Sequence, residues 1–208
     1  MQISWHGQYT VKIQSKETTL VIDPYAPSEG LGAFKAKAEI VALSNPSDPA
    51  MSHVSGVQGN PTVIKTPGEY ALSGFTLYGT SWAGEDGIEK NLQLWVVEDV
   101  SVLHLGQLDS LLTDKELQSL EKIGIDILLL PIGGGKGLDQ KQATTTLTTI
   151  EPRIVIPIHY SLPKLSEQLE KSDAFLKEIG EDVQPQKKLV IKANKLPQDD
   201  LEVVVLEP

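Results

Sequence analysis

The four histidines are the side chains best suited to metal binding or proton transfer, because the chain contains no cysteine. A chain without cysteine has no disulfide, no thiolate metal ligand and no cysteine nucleophile. The segment "SNPSDPAMSH" (44–53) has the pattern of a ligand-bearing loop, with small and polar residues around Asp48. It also holds two prolines, and its only histidine, His53, comes last. The segment is therefore a metal loop, a former metal loop or an ordinary turn.

Three of the histidines have a structural interpretation in their local sequence. His6 lies in "WHGQ", which is typical of a turn. His53 lies away from the ligand positions of the loop pattern, which indicates a solvated loop residue. His104 lies inside the apolar run "VLHLG", which predicts a hydrogen-bonded core histidine. The serine nucleophile motif GxSxG is absent. The possible serine nucleophiles are Ser44, Ser47 and Ser52, and each would need a base within hydrogen-bond reach.

The composition indicates one soluble domain spanning residues 1–208. Hydrophobic residues make up 40% of the chain, which is enough for a packed core, and the net charge of −10 argues against nucleic acid as a partner. The N-terminal sequence "MQISWHGQYTV" lacks the basic and apolar regions of a signal peptide. No apolar run approaches the ~20 residues of a membrane span. We therefore expect a cytoplasmic protein with no membrane partner.

The first half of the chain predicts strands that would position these side chains. "QYTVKIQS" alternates, with Tyr9, Val11 and Ile13 on one face. The runs "LQLWVVED" and "VSVLHLG" predict an antiparallel pair joined by a turn centred on Asp99. The other predicted strands in this half are "TTLVIDP", "AEIVALS", "PTVIKT" and "GFTLYGTS".

The second half predicts helices alternating with buried strands. Thr113 and Glu116 form a capping box ahead of "KELQSLEKI", and Asp139 caps a Thr-rich helix over "QKQATTTLTTI". A longer helix is predicted from Pro163 to Ile179, followed by Gly180. Its apolar stripe consists of Leu165, Leu169, Leu176 and Ile179. The predicted strands here are "IDILLLPIG", "PRIVIPIHY", "KLVIKA" and "LEVVVLE".

Several stretches together resemble the metallo-β-lactamase superfamily, in its branch of bacterial metal-dependent hydrolases similar to L-ascorbate-6-phosphate lactonase. The stretches are "ISWHGQYTVKI…TLVIDPY", "TPGEYALSGFTLYG", "VLHLGQL", "ILLLPIGGG" and "PRIVIPIHY". The resemblance runs from about Ile3 to Tyr160. It implies an α/β fold, a four-layer αβ/βα sandwich with two facing sheets. It also implies an active site along one edge, in loops that follow strands.

The resemblance further implies two divalent metal ions, held by a His-x-His-x-Asp-His loop and by three later ligands. In this chain no register of the loop recovers a histidine. One register places Asn45, Ser47, Pro49 and Ala50 at the loop ligands; the other places Ser44, Pro46, Asp48 and Pro49 there. "TSWAGEDG" (80–87) stands where the mid-chain histidine is expected, and Gln107 replaces the aspartate of a "GD" turn. His159 in "PIHY" is the only retained ligand position.

Two further features have structural interpretations. The Gly-rich "PIGGGKG" follows a strand but lacks the phosphate-binding and dinucleotide-binding patterns, which indicates a tight loop beside the site. Asp23 in "VIDPY" ends a strand and, by the resemblance, lies under the metal loop and hydrogen-bonds to it.

The changed ligand positions favour a metal-free member of this family, with no cofactor, that binds a small molecule or a protein partner. A catalytic zinc site needs about three protein ligands and an open position, which the region of Asn45, Ser47, Asp48, Gln107 and His159 does not offer. An alternative is a residual hydrolase of a phosphoester or lactone. It would use a weak mononuclear site, or acid–base chemistry by Asp48 and His159. A third interpretation is a homo-oligomeric scaffold.

Overall fold

The computed structural model describes residues 1–84 and 87–208 of the chain. The predicted segment "TSWAGEDG" therefore lies partly outside the described residues. The strands of the described part are Gln2–Trp5 (β1), Val11–Gln14 (β2), Thr19–Ile22 (β3), Ala36–Lys37 (β4), Ile40–Ala42 (β5), Val57–Gln58 (β6), Thr62–Ile64 (β7), Gly68–Leu72 (β8), Phe75–Ala83 (β9), Glu89–Val97 (β10), Val100–His104 (β11), Ile127–Pro131 (β12), Ile154–Ile158 (β13), Leu189–Val190 (β14) and Glu202–Val203 (β15). The α-helices there are Asp114–Glu121 (α1), Gln140–Ile150 (α2) and Ser172–Glu178 (α3).

These strands form two large sheets that enclose one core. The first sheet has six strands in the order β14-β1-β2-β3-β5-β7, and the second has seven in the order β15-β13-β12-β11-β10-β9-β8. A separate pair, β4 and β6, lies beside them. Buried apolar side chains from both sheets belong to a single cluster. The chain therefore adopts the α/β sandwich of facing sheets that the resemblance implies.

The parallel strands bring the loops of the candidate site to one edge of each sheet. β3, β5 and β7 run parallel in the first sheet, and β11, β12 and β13 run parallel in the second. β11, β12 and β13 are buried along their whole length, as strands covered on both faces are. The carboxyl ends of such strands carry the side chains that bind ligands in open α/β sheets.

The predicted hairpin and the first two helices are confirmed. Glu98 and Asp99 alone form the turn between β10 and β11, both with positive φ, as a type I′ hairpin turn requires. Thr113 and Glu116 form a reciprocal capping box at α1, and Asp139 with Gln142 forms another at α2. Several threonines of α2 donate hydrogen bonds back to carbonyls one turn earlier, so packing of its buried face must hold the helix.

The helix predicted from Pro163 to Ile179 is wrong over its first half. Only Ser172–Glu178 is helical, and residues 161–170, which we call the strap, form an irregular extended segment. Along the strap Leu165, Glu167 and Leu169 are partly buried while their neighbours are exposed, which is a period of two. Leu165 and Leu169 are four residues apart, a spacing that fits one face of a helix and also one face of an extended chain. These two leucines therefore could not distinguish a helix from an extended chain.

The predicted terminal strands are also shorter than "KLVIKA" and "LEVVVLE", since the strands there are the two-residue β14 and β15, with one isolated bridge between Gln186 and Leu206. No helix in residues 1–84 and 87–208 has the length and apolar character to cross a membrane.

Candidate functional site

Two of the predicted site loops meet where the two sheets come together. The loop after β5 carries Asn45 and Asp48, and the loop after β11 carries Gln107. The Nδ2 of Asn45 donates to the Oε1 of Gln107 over 2.8 Å, and the Nε2 of Gln107 donates to the Oδ2 of Asp48 over 2.7 Å. We call these three side chains the amide chain. The Gln107 amide uses both its ends, accepting from Asn45 and donating to Asp48, and both amide residues are buried.

The ends of the amide chain are also bonded. The backbone N–H of Ser47 donates to the Oδ1 of Asn45 over 3.2 Å, and that of Ala50 donates to the Oδ1 of Asp48 over 2.9 Å. These side chain to backbone bonds are local turns of the kind that Asn and Asp favour. The amide chain is therefore fixed at both ends by its own loop.

Asp23 holds the start of this loop from below, as predicted. Its Oδ1 accepts a hydrogen bond of 2.6 Å from the Ser44 backbone N–H, and its Oδ2 accepts one of 2.5 Å from the Ser44 hydroxyl. Burial raises the pKa of the Asp23 carboxyl to about 7, although both bonds from Ser44 act in the opposite direction. The loop is thus attached to a fully buried carboxyl group.

His104 is a core histidine, as predicted. Its Nε2 lies 2.9 Å from the Tyr9 carbonyl oxygen, and its Nδ1 accepts from the Gly106 N–H over 3.0 Å. Burial lowers the pKa of His104 to about 4. The neutral imidazole therefore connects the loop before β2 with the loop after β11.

His6 and His53 have the structural settings that their sequences predict. His6 lies edge-on to Phe34, and its Nε2 is 3.2 Å from the Ser4 hydroxyl. Burial lowers the pKa of His6 to about 4. The Nε2 of His53 lies 3.3 Å from the neighbouring Ser55 hydroxyl.

His159 belongs to a hydrogen-bond network separate from the amide chain. None of the hydrogen bonds among the described residues joins it to Asn45, Asp48 or Gln107. Its Nε2 is instead 3.4 Å from the Oε2 of Glu167, a residue of the strap. Its ring stacks on Tyr9 with 4.1 Å between ring centroids. The site outlined by Asn45, Ser47, Gln107 and His159 thus divides into two parts.

The second part, which we call the imidazole cluster, comprises His159, Glu167, Tyr9 and Gln8. Burial lowers the pKa of His159, and the hydrogen bond to Glu167 partly offsets this. Burial works to raise the pKa of Glu167, but the bonds from His159 and its other donors lower it overall. The Nε2 of Gln8 donates to Glu167 over 3.4 Å and to Glu29 over 3.2 Å. Glu167 is therefore a carboxylate surrounded by loosely held donors.

Three buried atoms of the imidazole cluster have no hydrogen-bond partner within residues 1–84 and 87–208: the Tyr9 hydroxyl, the Nδ1 of His159 and the Oε1 of Gln8. Most buried polar groups in proteins are bonded, so such atoms need an explanation. The Tyr9 hydroxyl and the His159 Nδ1 lie 2.9 and 3.0 Å from the point where a side chain on Gly137 would begin. The Gly137 backbone therefore packs against both atoms so closely that no side chain would fit there.

A cavity of about 270 Å³ borders the other side of the loop. Ser44, Ser47, Lys65 and Asn91 are among its lining residues. Both polar atoms of the Asn91 side chain are buried without a hydrogen-bond partner. Ser47 thus lies at the edge of a cavity, and its side chain is not part of the amide chain.

The side chains at the predicted ligand positions do not fit a divalent metal centre. Across residues 1–84 and 87–208, no group of three or more His, Asp or Glu side chains is arranged so that it could hold a metal ion. Zinc centres in proteins use imidazole, thiolate or carboxylate, in sets of three or four. The amide chain supplies one carboxylate, and that group is engaged by Gln107.

The chain belongs to the family described as the beta-lactamase superfamily domain, whose model matches residues 2–159. The fold and the resemblance stated from the sequence are thereby confirmed, and the family is one of metallo-β-lactamase-fold metal-dependent hydrolases. The sequence alone therefore identified the superfamily correctly.

Individual relatives agree with this assignment. The chain is 26% identical over 197 residues to a UPF0173 metal-dependent hydrolase from Lysinibacillus sphaericus, covering 77% of this chain and 86% of the relative. It is 24% identical over 220 residues to another from Geobacillus thermodenitrificans, covering 89% and 97%. It is 28% identical to a Thermotoga maritima protein classed with the Zn-dependent hydrolases of the metallo-β-lactamase superfamily; that structure superposes with a TM-score of 0.80 and full coverage of both chains.

The sequence missed the partners of His159. The sequence predicts a helix at Glu167, and it predicts only a strand and its approach at Tyr9 and Gln8. A usable signal was present, because Leu165, Glu167 and Leu169 alternate with polar residues directly after the His159 strand. An extended segment in that position brings Glu167 back across the end of β13.

Proposed function

We propose that this chain is a metal-free member of its hydrolase family that has lost metal ligands and acts by binding. The observation that carries the proposal is the amide chain. Asn45 and Gln107 stand at predicted ligand positions, and their side chains satisfy each other and Asp48 without an ion. Buried amides that are fully bonded are stable without a cation, whereas clustered carboxylates at the same place would repel one another.

The residue chemistry at these positions supports the proposal. Carboxamide oxygen is a poorer zinc ligand than imidazole or carboxylate. For Asp48 to coordinate an ion, its Oδ2 would have to leave Gln107, and the Gln107 amide would lose its acceptor. Entry of a metal would therefore break bonds that the chain already makes.

The function would then be recognition of a small molecule or protein. The cavity beside Ser47, to which Asn91 contributes two buried polar atoms with no hydrogen-bond partner among the described residues, supports a small molecule, because ligand sites combine concave space with a few polar groups. A cytoplasmic, bacterial protein fits the bacterial relatives and remains a prediction, as do a single domain over residues 1–208 and homo-oligomerisation. Cell fractionation and solution mass measurement test these points.

The experiment is metal analysis of protein purified without chelator, followed by assays of phosphoester and lactone hydrolysis with and without added zinc. We expect metal far below one equivalent and no zinc-dependent rate. One or two equivalents of retained zinc, or hydrolysis that zinc restores, would overturn the proposal. A matched sample of the Gln107→Ala variant shows whether the amide chain itself keeps metal out.

A second candidate is a residual hydrolase, and one observation favours it. His159 is a buried neutral imidazole beside the ionised carboxylate of Glu167, a pairing that orients imidazole in general base catalysis. The acid–base pair would then be His159 with Glu167 instead of Asp48, which is bonded to Gln107. Phosphoester or lactone hydrolysis that is unaffected by chelator and lost in His159→Gln would support this candidate.

A further inference from the structure

We propose that the cavity beside Ser47 binds a small uncharged molecule that carries a primary carboxamide, and that the Asn91 side chain pairs with that carboxamide. This inference rests on the proposed function, since it names the ligand class of a metal-free binding protein. The site is the cavity of about 270 Å³ beside the loop after β5. Its lining includes no residue of the amide chain or the imidazole cluster.

Asn91 lies near the start of β10, at a point where the second sheet is bonded to the first. Its backbone N–H donates to the Ser44 carbonyl oxygen over 2.8 Å, which joins β10 to the loop after β5. Both residues line the cavity, and Asn91 is only 2% exposed. The backbone that carries the Asn91 side chain is therefore held at a fixed position on the inner side of the cavity.

The Asn91 amide is unsatisfied at both ends. Neither its Nδ2 nor its Oδ1 has a hydrogen-bond partner in the part of the chain that the structure describes. The Oδ1 lies beside Pro67, since a side chain on Gly79 would begin 2.8 Å from the Oδ1 and 3.1 Å from the Pro67 Cα. Asn91 and Pro67 both line the cavity. Because buried polar groups are normally bonded, a free donor and a free acceptor next to a cavity indicate a ligand.

The connection formed by residues 65–67 covers the Asn91 amide from the solvent side. It joins β7 of the first sheet to β8 of the second, and the Lys65 and Thr66 side chains on it are exposed. Among residues 1–84 and 87–208, neither Lys65 nor Thr66 makes a backbone hydrogen bond. The connection can therefore shift without breaking either sheet, and a ligand in the cavity reaches the amide when it does.

A primary carboxamide matches both ends of the Asn91 amide. The Nδ2 donates and the Oδ1 accepts, and a primary carboxamide presents a carbonyl oxygen and an N–H on one edge, so two parallel hydrogen bonds can form. A ketone or an ester has no donor for the Oδ1. A carboxylate also lacks the donor, and it would place a negative charge against the Oδ1. The two free atoms therefore favour a primary carboxamide over these groups.

The rest of the cavity favours an uncharged ligand with an apolar body. Its apolar lining residues are Pro46, Pro67 and Ile88. Two of its charged residues have partners, because the Lys90 ammonium lies 3.1 Å from the Asp109 carboxylate and Glu89 accepts from the Ser81 hydroxyl. The third, Lys65, is exposed to water. The volume is below that of pockets for drug-sized ligands, roughly 300–1,000 Å³, so the ligand is small.

The experiment titrates the isotope-labelled full chain with benzamide, acetophenone and benzoate, and follows the side-chain amide signals by NMR. Acetophenone has a methyl group in place of the amino group of benzamide, and benzoate has a charged oxygen there. We expect benzamide to bind about tenfold more tightly than either analogue, because it alone gains a second hydrogen bond without burying a charge. Binding of benzamide should also shift the Nδ2 signals of Asn91.

Two variants separate pairing with Asn91 from general contact with the cavity. Asn91→Ala removes the pairing amide, and Asn194→Ala, at an exposed asparagine of the segment 193–195, is the matched control. We expect benzamide to bind folded Asn91→Ala about tenfold more weakly than the unmodified chain, and Asn194→Ala with unchanged affinity. Equal affinity in all three proteins would overturn the inference.

The comparison of ligands on the unmodified chain tests the inference even if Asn91→Ala does not fold. Equal affinity for benzamide and acetophenone, no binding of benzamide, or an Asn91 signal that saturating benzamide leaves unmoved would overturn it. Tighter binding of benzoate than of benzamide would overturn the ligand class. The proposed function fails separately, through retained zinc, whatever the result with benzamide.

Discussion

The amide chain and the imidazole cluster lie in the same candidate site but differ in how completely their polar atoms are bonded. In the amide chain, the Asn45 and Gln107 amides and the Asp48 carboxylate accept and donate among themselves at 2.7–2.8 Å. In the imidazole cluster, the bonds are 3.2–3.4 Å long and three buried atoms have no partner. A fully bonded network stabilises one structure, whereas a partly bonded one leaves groups available to a ligand. We infer that the first part is structural and the second functional.

The largest effect is expected beneath the amide chain, at Asp23. Asp23→Ala leaves the Ser44 N–H and hydroxyl buried without an acceptor, which should lower the free energy of unfolding by about 3 kcal/mol. Urea denaturation measures this loss. Asp23→Asn keeps an acceptor for the N–H and should lose about half as much. A loss below about 0.5 kcal/mol in Asp23→Ala would show that the loop does not depend on this carboxyl group.

A smaller loss is expected within the amide chain itself. Gln107→Ala removes the acceptor of Asn45 and the donor to Asp48, and should lower the free energy of unfolding by about 2 kcal/mol. Chemical denaturation with a His53→Ala control, at a half-buried residue of the same loop whose ring nitrogen lies beside the Ser55 hydroxyl, separates this effect from the general loss of a loop side chain. If Gln107→Ala were as stable as the control, the amide chain would not be a structural network.

The helical caps and the core position of His104 could be predicted because each depends on local sequence, whereas the bonding of Asp23 to the loop was implied only by the family resemblance. Glu167 could not be placed, since Leu165 and Leu169 fit a helix and an extended chain equally well. What decides between them is long-range: Glu170 bonds to Gly133, and Ser166 bonds to Glu29. Likewise, the residue types predicted the changed ligand positions, but the pairing of Asn45 with Gln107 depends on how two distant loops meet.

The pH dependence of stability should be modest, because groups with opposite effects contribute. The pKa of His104 falls from 6.5 to about 4 on folding, and that of His6 does the same. The unfolded chain therefore binds more protons between these values, and stability rises with pH in that window. Asp23 opposes this, since its pKa rises from 3.8 to about 7 and the folded chain holds its proton longer.

Urea midpoints measured between pH 4 and 6.5 test this balance. Asp23→Asn removes the opposing group, so its midpoint should climb more steeply with pH than that of the unmodified chain. A parallel pair of curves would show that Asp23 does not titrate in this window.

The smallest effect is expected in the imidazole cluster. Tyr9→Phe removes a hydroxyl that has no partner, so the free energy of unfolding should change by less than about 0.5 kcal/mol. The stability losses of Tyr9→Phe and Gln107→Ala, measured together, compare the imidazole cluster with the amide chain directly. A loss as large as that of Gln107→Ala would show that the Tyr9 hydroxyl is bonded in solution and that the imidazole cluster is as complete as the amide chain.

The central claim, that the chain's own amides fill the predicted metal position, is tested most directly by zinc-soaked crystals. The measurement is the anomalous difference density around Asn45, Asp48 and Gln107. The account predicts no peak there, with the Gln107 amide still bonded to Asn45 and Asp48. A zinc peak coordinated by Asp48, with Gln107 displaced from it, would contradict the account.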